Sequence, residues 1–573
     1  MSPASTPGFP PAASLLSAAD HAVDIVAVGE PTHDEPAHQL ARNALVRALV
    51  EHGARSLAYE TDTVRALGID DDVRGDDPAP GPVPADRFSH GFGDLAANQE
   101  LVAWLRTHNA SRPHADRVSF HGFDPPLETM SAPSPRRYLA ELYGYLERAL
   151  GTDALPHRWR DLDRLMGDDD RWAAAAAVLD AAESPGATDD AVALRAATDD
   201  LQTILWAQTP ALVAASSAEA WHRADLHARA ARGLLRYHAR AARPAPREER
   251  VAALMGVRDA LMAENLLAIR ARERDRGPTV VLAHNRHLQR MPSTWPLAGM
   301  NLRWWSAGAI VATLLGDRYV LVVGSIGGGE RLPTPAPDTF EGVLERVTGG
   351  TPALLPAARV REALPDGVRV RDDAGPGQGY FPLDHETLDD CDAVLHASGP
   401  EAPPPVGLEE LTARIAALPG VTVTIADESS GAPEAAWGNR FFFVGEDRRM
   451  PFATIVDTDV PAWDELSRLG RPGVHRLNVP LGRREFERRF GIPPARLEQL
   501  RDGIDFSRLD VLLPHPLYGA QGWGCILNPT PRSLPMIDEL LRQAHARAAR
   551  RTGARSVVHR FGSGSDSAVD NPE

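Results

Sequence analysis

The sequence of 573 residues contains no lysine, so all 61 of its basic side chains are arginines. This excludes chemistry that needs a lysine, such as a Schiff base or the phosphate-binding lysine of a P-loop. The chain has only two cysteines, Cys391 and Cys525, and they lie far apart. Two distant thiols cannot build a disulfide framework or a cysteine-rich zinc site, and we expect both to be inert.

Long apolar runs are also missing, and none approaches the roughly 20 residues that a membrane-spanning helix requires. The N-terminal residues lack the basic and apolar segments of a secretory signal. A formal net charge of -17 would repel a phosphate backbone, and no basic stripe interleaved with aromatic residues offsets it. We therefore expect a soluble, cytoplasmic protein that binds neither membranes nor nucleic acids. Its oligomeric state is left open.

Short apolar segments that alternate with helical patterns predict an α/β domain with a mainly parallel sheet. Their residues are apolar on both faces, which is typical of strands buried on both sides. Between the third and fourth segments, the alanine-rich residues 135–275 follow helical periodicity and predict an inserted helical subdomain. The predicted strands cover residues 24–29, 56–59, 118–123, 279–283 and 319–323.

A proline-rich segment, residues 399–406, predicts a stiff linker between two domains. The chain is too long for one core, because cores stop growing at roughly 250 to 300 residues. We expect the first domain over residues 1–398, an α+β domain over residues 407–553, and a tail of disordered composition over residues 554–573. For the α+β domain we predict a helix over residues 408–418, strands at Val421–Ile425 and Arg440–Val444, two or three further strands and a final helix.

Acidic and imidazole side chains follow four of the predicted strands. In open α/β sheets, ligands bind beyond the carboxyl ends of the strands, so these side chains should meet at one edge. Such a concentration of titratable groups predicts a catalytic site. The residues are Glu30 and His33 after the first strand, Glu60 after the second, Asp124 after the third, and His284 and His287 after the fourth.

Arg258 lies on the apolar face of a helix predicted over residues 247–274. A buried guanidinium needs a carboxylate partner, and Glu30 or Glu60 could supply it. The alternative is that the long side chain of Arg258 reaches the surface.

The residues present at the strand ends restrict the mechanism. The sequence has no Gly-x-Ser-x-Gly elbow, and neither cysteine follows these strands, so a covalent serine or thiol route is disfavoured. What remains is a histidine that deprotonates a water for attack on an ester carbonyl. A carboxylate would orient the imidazole and an arginine would stabilise the oxyanion, with no cofactor. His33 is the best base candidate because Glu30 lies beside it.

A series of blocks in this sequence resembles the erythromycin esterase family, over roughly residues 20–396. The resemblance implies an α/β fold with a helical subdomain, in which His33 is the general base. It also implies that Glu30, Arg42, Glu60, His284 and His287 occupy other cleft positions, and we assign His90 and Asp124 to substrate binding. The blocks are GEPTH ending at His33, Arg42 within a helix, LAYETD around Glu60, HGFGDLAANQELVAWL from His90, HGFD ending at Asp124, RDALMAEN from Arg258 and AHNRH around His284.

One position departs from the family pattern. Asp34 follows the candidate base where the family commonly has glycine. An extra carboxylate there predicts either an electrostatic effect on the histidine or a narrower cleft, so the substrate stays open. The C-terminal part resembles a small bacterial domain family that also occurs alone, through FFFVG, MPFATIVD and LDVLLPHPLYGAQGWGCILNP. That resemblance implies no activity.

Three functions are compatible with these residues. The leading one is hydrolysis of a small-molecule ester, such as a macrolactone, by a metal-independent histidine base. The first alternative is a metal-dependent hydrolase, since His33, Glu60, His284 and His287 include donors for zinc or manganese. The second is a resistance-associated protein that binds a natural product without catalysis, although a mere binding pocket would be mostly apolar.

Overall fold

The computed structural model of the chain describes residues 22–75, 81–128, 131–297, 299–374, 379–400, 404–430, 434–445, 450–460, 463–499 and 504–561, together with residues 15, 448 and 501. The chain divides into two compact units, Met1–Glu401 and Ala402–Glu573. Within the described residues, no helix combines the length and apolarity needed to cross a membrane.

The first unit is built on a seven-stranded sheet in the order β3-β2-β4-β1-β7-β9-β8. All neighbours are parallel except β8, which pairs antiparallel with β9 at one edge. This confirms the predicted α/β class and mainly parallel sheet. The strands described in this unit are β1 (Ile25–Glu30), β2 (Ser56–Asp62), β3 (Ser119–Asp124), β4 (Thr279–His284), β5 (Pro292–Leu297), β6 (Met300–Trp305), β7 (Tyr319–Ile326), β8 (Ala353–Pro356) and β9 (Ala393–Ala397).

The strands β5 and β6 form a separate antiparallel hairpin that the sequence analysis missed. Two prolines, Pro292 and Pro296, lie within β5. Proline cannot donate to a strand ladder and is found mainly on edge strands, so a two-stranded hairpin accommodates it.

The helices of the first unit fall into three groups. Three follow the early strands: α1 (Pro36–Glu51), α2 (Leu67–Arg74) and α3 (Ala96–Ala110). The group between β3 and β4 comprises α4 (Arg136–Leu150), α5 (Trp159–Met166), α6 (Asp169–Ala173), α7 (Ala175–Leu179), α8 (Asp189–Ala207), α9 (Thr209–Ala215), α10 (Ala218–Ala241) and α11 (Arg247–Glu273). The last group comprises α12 (Asn285–Leu288), α13 (Ala307–Leu315), α14 (Phe340–Thr348), α15 (Ala357–Ala363) and α16 (His385–Asp390).

The group between β3 and β4 is the predicted helical subdomain, and it has its own core. Thr188 caps α8 by accepting a hydrogen bond from the backbone N–H of Ala191. Leucines at helical spacing, among them Leu139, Leu142 and Leu146 on α4, pack into this core.

Both faces of the seven-stranded sheet are covered, as its apolar strands require. Val26 and Val28 of β1 join one core with α1, α2 and α3. The alternate residues Ile25 and Ala27 join a second core with α11, α13 and α14. The carboxyl ends of the parallel strands are thereby held at one edge of a rigid layer.

The second unit contains a six-stranded antiparallel sheet in the order β10-β11-β12-β13-β15-β14. The helix α19 packs on one face through Ile537, Leu540 and Leu541. This confirms the predicted α+β class. The elements are α17 (Leu408–Ala416), β10 (Val421–Ile425), β11 (Arg440–Val444), β12 (Ala453–Val456), β13 (Arg476–Pro480), α18 (Arg483–Phe490), β14 (Leu512–Pro514), β15 (Trp523–Leu527) and α19 (Leu534–Phe561).

Two details of the second unit differ from the sequence analysis. Four strands follow β11 rather than two or three, because β12 and β14 are only four and three residues long and carry too few residues for a pattern. The helix α19 reaches Phe561 and so overlaps the tail predicted over residues 554–573. Residues 562–573 lie outside the described residues.

Each unit has its own buried apolar clusters, so we expect each to fold alone. Fragments 1–401 and 402–573 should each be soluble and unfold in one cooperative transition, measured by circular dichroism during heating. If fragment 1–401 aggregates while the full chain stays folded, the independence of the units is refuted.

Candidate active site

A cavity of about 350 Å³ lies beyond the carboxyl ends of the first unit's parallel strands. Six of the nine predicted site residues line it: His33, Glu60, His90, Arg258, His284 and His287. The other three, Glu30, Arg42 and Asp124, are buried behind this wall. The structure thus brings all nine residues to one place.

A buried ion pair joins Glu30, the last residue of β1, to Arg42 on α1. The guanidinium of Arg42 is fully buried and also donates to Oδ1 of Asn98 at 2.9 Å. Burial by itself would raise the pKa of Glu30, but the charge of Arg42 and a hydrogen bond from His33 outweigh it and lower the pKa to about 2. Glu30 is therefore an anion at neutral pH.

His33 stands between two carboxylates at the cavity wall. Its Nδ1 lies 3.3 Å from Oε2 of Glu30, and its Nε2 lies 3.8 Å from Oε2 of Glu60. Because an ionised Glu30 can only accept, Nδ1 of His33 carries the hydrogen in this contact. The Nε2 atom is left to accept a proton, and the side chain is 31% exposed.

Glu60 contacts His284 at the end of β4, Arg258 on α11 and His287 on α12. Its Oε2 accepts a hydrogen bond from the backbone N–H of His284 at 2.8 Å. Its Oε1 lies 3.0 Å from Nη2 of Arg258 and 3.4 Å from Nε2 of His287. Burial would raise the pKa of Glu60, but His287, His33 and Arg258 together lower it. The carboxylate is thus held ionised beside the candidate base.

Arg258 is held mainly by Asp124, a partner that the sequence analysis did not assign to it. Its Nε and Nη2 donate to the two carboxylate oxygens of Asp124 at 2.9 and 2.7 Å. Glu60 is a second partner, as predicted, whereas the suggested pairing with Glu30 was wrong because Arg42 occupies that carboxylate. The proposed extension to the surface was also wrong, since the Arg258 side chain is only 18% exposed.

His90 adds a second cation against Asp124. Its Nε2 lies 2.7 Å from Oδ2 of Asp124, and its Nδ1 lies 3.3 Å from Oε2 of Glu128. Burial would lower the pKa of His90, but hydrogen bonds with Asp124 and Glu128 raise it to about 9. The backbone of His90 is left-handed, with a φ of 58°, which is strained for a residue with a side chain.

The two histidines after β4 differ in their hydrogen bonding. His284 accepts a hydrogen bond at Nδ1 from the backbone N–H of Arg286, at 3.1 Å, and donates from Nε2 to the Gly379 carbonyl, at 3.0 Å. Both of its nitrogens are therefore occupied, and burial holds its pKa well below the usual range. His287 directs Nδ1 to Asp259 at 2.8 Å and Nε2 toward Glu60. Among the described histidines of the cavity wall, His33 and His287 leave Nε2 without a carbonyl or carboxylate closer than 3.4 Å, and Nε2 of His287 also lies 3.4 Å from Nη1 of Arg258.

Asp34, the departure from the family pattern, also lines the cavity. Its carboxylate lies 3.8 Å from Nη2 of Arg331. Asp34 thus adds a carboxylate to the cavity lining directly after His33 in the chain, where glycine would add no side chain.

Several residues of this site were not predicted from the sequence. Asp259 directly follows Arg258, and its adjacency in RDALMAEN was the available indication. The apolar lining comes from the turn before α3, the segment after β3, the helical subdomain and the β5–β6 hairpin, which no local pattern brings together. The missed lining residues include Phe92, Leu127, Tyr237, Leu254, Met255, Trp295 and Trp304.

The donors at this site do not form a metal centre in the part of the chain that the structure describes. No group of three or more histidine, cysteine, aspartate or glutamate side chains there is arranged to hold an ion. The guanidinium of Arg258 lies against Glu60, and both nitrogens of His284 are engaged.

The chain matches the family model described as erythromycin esterase over residues 49–398, and a family of unknown function, DUF6194, over residues 406–557. Glu30, His33 and Arg42 precede the first matched range, so their grouping rests on the geometry above. No curated protein matches the chain.

Solved structures are similar to the chain at low sequence identity. A Bacillus cereus protein has a TM-score of 0.50 and 18% identity, covering 66% of this chain and 89% of that chain. A histidine-to-asparagine mutant of the erythromycin esterase EreC in its open conformation has a TM-score of 0.46 and 18% identity, covering 65% and 90%. A succinoglycan biosynthesis protein has a TM-score of 0.49 and 16% identity, covering 68% and 91%. At such identities, the likeness concerns the fold alone.

The ion pairs of Arg258 predict a large effect of its removal. Arg258→Ala leaves Asp124 and Glu60 without their guanidinium, and we expect the free energy of unfolding to fall by roughly 3 to 5 kcal/mol. Arg274→Ala, at the exposed end of the same helix, should change it by less than about 0.5 kcal/mol. Chemical denaturation followed by circular dichroism measures both.

The loss in Arg258→Ala should shrink in acid, because protonation neutralises the unpaired carboxylates. The pKa of Asp124 is held below its usual value in the native protein: burial would raise it, but Arg258 and His90 outweigh burial. If Arg258→Ala and Arg274→Ala both leave the free energy of unfolding nearly unchanged, the structural role of Arg258 is contradicted.

Proposed function

This chain belongs to the erythromycin esterase family, and we propose that it is an ester hydrolase in which His33 activates the attacking water. The observation that carries the proposal is the geometry of His33. Its Nδ1 is bound to Glu30, which Arg42 keeps ionised, and its Nε2 faces a cavity of about 350 Å³. A histidine oriented by a carboxylate is the usual arrangement of a general base.

The first step places a water between Nε2 of His33 and the ester carbonyl. The water transfers a proton to Nε2 as its oxygen bonds to the carbonyl carbon, and Glu30 stabilises the resulting imidazolium. The carbonyl oxygen becomes an oxyanion. Arg258 can stabilise it through Nη1, because Nε and Nη2 already bind carboxylates.

The second step breaks the bond to the leaving alcohol. The imidazolium of His33 returns its proton to the alcohol oxygen as the carbon–oxygen bond breaks. The products are a carboxylic acid and an alcohol, and His33 regains its starting state. The water supplies the added oxygen, so the chain's own residues suffice for each proton transfer.

The lining of the cavity supports a large, mostly apolar ester. Aromatic side chains from three parts of the unit, Phe92, Tyr237 and Trp304, share the wall with Leu254 and Met255. Pockets of roughly 300 to 1,000 Å³ with apolar walls and a few convergent polar groups are typical of small-molecule sites. We therefore propose a macrolactone or a similarly bulky small-molecule ester as the substrate.

A protein that only binds such a molecule would not need these ion pairs. Glu30, Glu60 and Asp124 are each buried and ionised at or behind the cavity wall, at a cost in desolvation that an apolar pocket avoids. A role in catalysis would explain why these charges are buried here. The arrangement therefore favours an enzyme over a protein that only binds its ligand.

His33→Gln tests the proposal on a panel of macrolactones and activated esters. Glutamine is polar and similar in reach, so folding should persist while turnover falls by roughly 100- to 10,000-fold. The matched control is His52→Gln, which changes an exposed histidine at the end of α1 and should leave turnover unaltered.

Initial rates measured by product chromatography give the comparison. The general-base assignment fails if His33→Gln keeps more than about a tenth of wild-type turnover, since that corresponds to only about 1.4 kcal/mol of barrier. Absence of any ester hydrolysis by the wild-type protein across the panel would count against the function itself.

A further inference from the structure

We propose that Asp259 is a positioning residue that holds His287 as a charged hydrogen-bond donor beside Arg258, so that the two donors form the oxyanion site. This inference rests on the proposed ester hydrolysis. It assigns His287 a role distinct from that of His33 and gives Asp259 a part in the reaction that it does not touch.

Asp259 receives three hydrogen bonds although it lies in the middle of the long helix α11. His287 Nδ1 lies 2.8 Å from Oδ1, the backbone N–H of Ala307 donates to Oδ1 at 2.9 Å, and Trp304 Nε1 donates to Oδ2 at 2.8 Å. The side chain of Asp259 is fully buried. The indole and the backbone amide can only donate, so both oxygens act as acceptors, as those of an ionised carboxylate do.

This arrangement fixes the orientation of His287. Because Asp259 accepts, Nδ1 of His287 must carry a hydrogen. The ring is then held with Nε2 on the side of the cavity, 3.4 Å from Oε1 of Glu60. A carboxylate that orients an imidazole in this way also stabilises its protonated form.

The charges around His287 favour the imidazolium. Two carboxylates face the ring, Asp259 from α11 and Glu60 from β2, against one guanidinium, that of Arg258. The neighbouring His284 adds no charge at neutral pH, since its pKa is held well below the usual range. Burial would lower the pKa of His287, but Asp259 and Glu60 outweigh it and raise the pKa.

The donor on Nε2 is available to a substrate. Its separation of 3.4 Å from Glu60 exceeds that of a good hydrogen bond, so the contact with Glu60 is weak. Nη1 of Arg258 lies 3.4 Å from the same Nε2 atom and donates to it when Nε2 carries no hydrogen. Protonation of Nε2 ends that hydrogen bond, so both N–H groups can then donate to one oxyanion at the same part of the cavity wall.

A purely structural role for Asp259 is the competing explanation, because it also ties Trp304 and the start of α13 to α11. The pH dependence of turnover separates the two roles. If the imidazolium of His287 is the active form, activity is lost as the pH rises through the pKa of His287. Removing the charge of Asp259 lowers that pKa, so the alkaline limit of activity moves to lower pH.

The test compares Asp259→Asn with Trp304→Phe. Asparagine keeps the shape and one acceptor oxygen but removes the charge, and turnover should fall by about 100-fold or more, the usual effect of losing an oxyanion donor. The alkaline limit of its activity should fall by about one pH unit or more. Trp304→Phe removes the hydrogen bond between the β5–β6 hairpin and Asp259 but leaves the charge of Asp259. The alkaline limit of activity in this variant should therefore equal that of the wild type.

A measurement without substrate completes the test. Histidine-selective NMR, with the His287 signal identified by its loss in His287→Gln, gives the pKa of His287 directly. The inference predicts a lower pKa in Asp259→Asn than in wild type and an unaltered one in Trp304→Phe.

The outcomes separate this inference from the proposed function. If wild type hydrolyses esters but Asp259→Asn shifts neither the NMR titration nor the alkaline limb, the role of Asp259 is refuted and the function stands. If Asp259→Asn and Trp304→Phe shift the pKa of His287 and the upper pH limit of activity equally, the role of Asp259 is structural only. If wild type hydrolyses no ester, the function fails, and the titration still decides whether Asp259 holds His287 protonated.

Discussion

The pairing of buried carboxylates with guanidinium groups is the interaction on which the site depends. Glu30 and Asp124 end β1 and β3, Glu60 lies near the end of β2, and all three are buried. An unpaired buried charge costs several kcal/mol, so these carboxylates stay ionised because Arg42, Arg258 and the neighbouring histidines lie against them. A guanidinium can bind two carboxylates at once, as Arg258 does, which a lysine ammonium does less well.

The sheet and the turn after β4 hold this network in place. Asn285 bridges β4 to β7, since its Nδ2 donates to the Gly324 carbonyl at 2.9 Å and its Oδ1 accepts from the Gly324 N–H at 3.0 Å. A Cβ at residue 29 would lie 2.0 Å from the same Oδ1, so the glycine before Glu30 is required by packing. The chain can thus enter the turn that carries His33 without displacing this bridge.

Much of the fold was predictable because buried parallel strands are apolar on both faces, and β1 to β4 follow that pattern. The rule that ligands bind beyond the strand ends then gathered His33, Glu60 and His284 correctly at one edge. Pairing between distant elements was not predictable in this way. Local periodicity placed Arg258 on a buried face but could not choose among carboxylates far away in sequence, and it gave Asp259 no distinction from any other helical aspartate.

The central claim is that water, activated by His33, attacks the ester directly. The most direct test is a single turnover in ¹⁸O-labelled water with enzyme in excess over ester, followed by mass spectrometry of the product acid and the protein. The account predicts that the first turnover places one ¹⁸O in the acid and leaves the protein without an acyl adduct or label. Label in a carboxylate of the protein, such as Glu60, or a trapped acyl-enzyme would contradict it, because either result would show a covalent route.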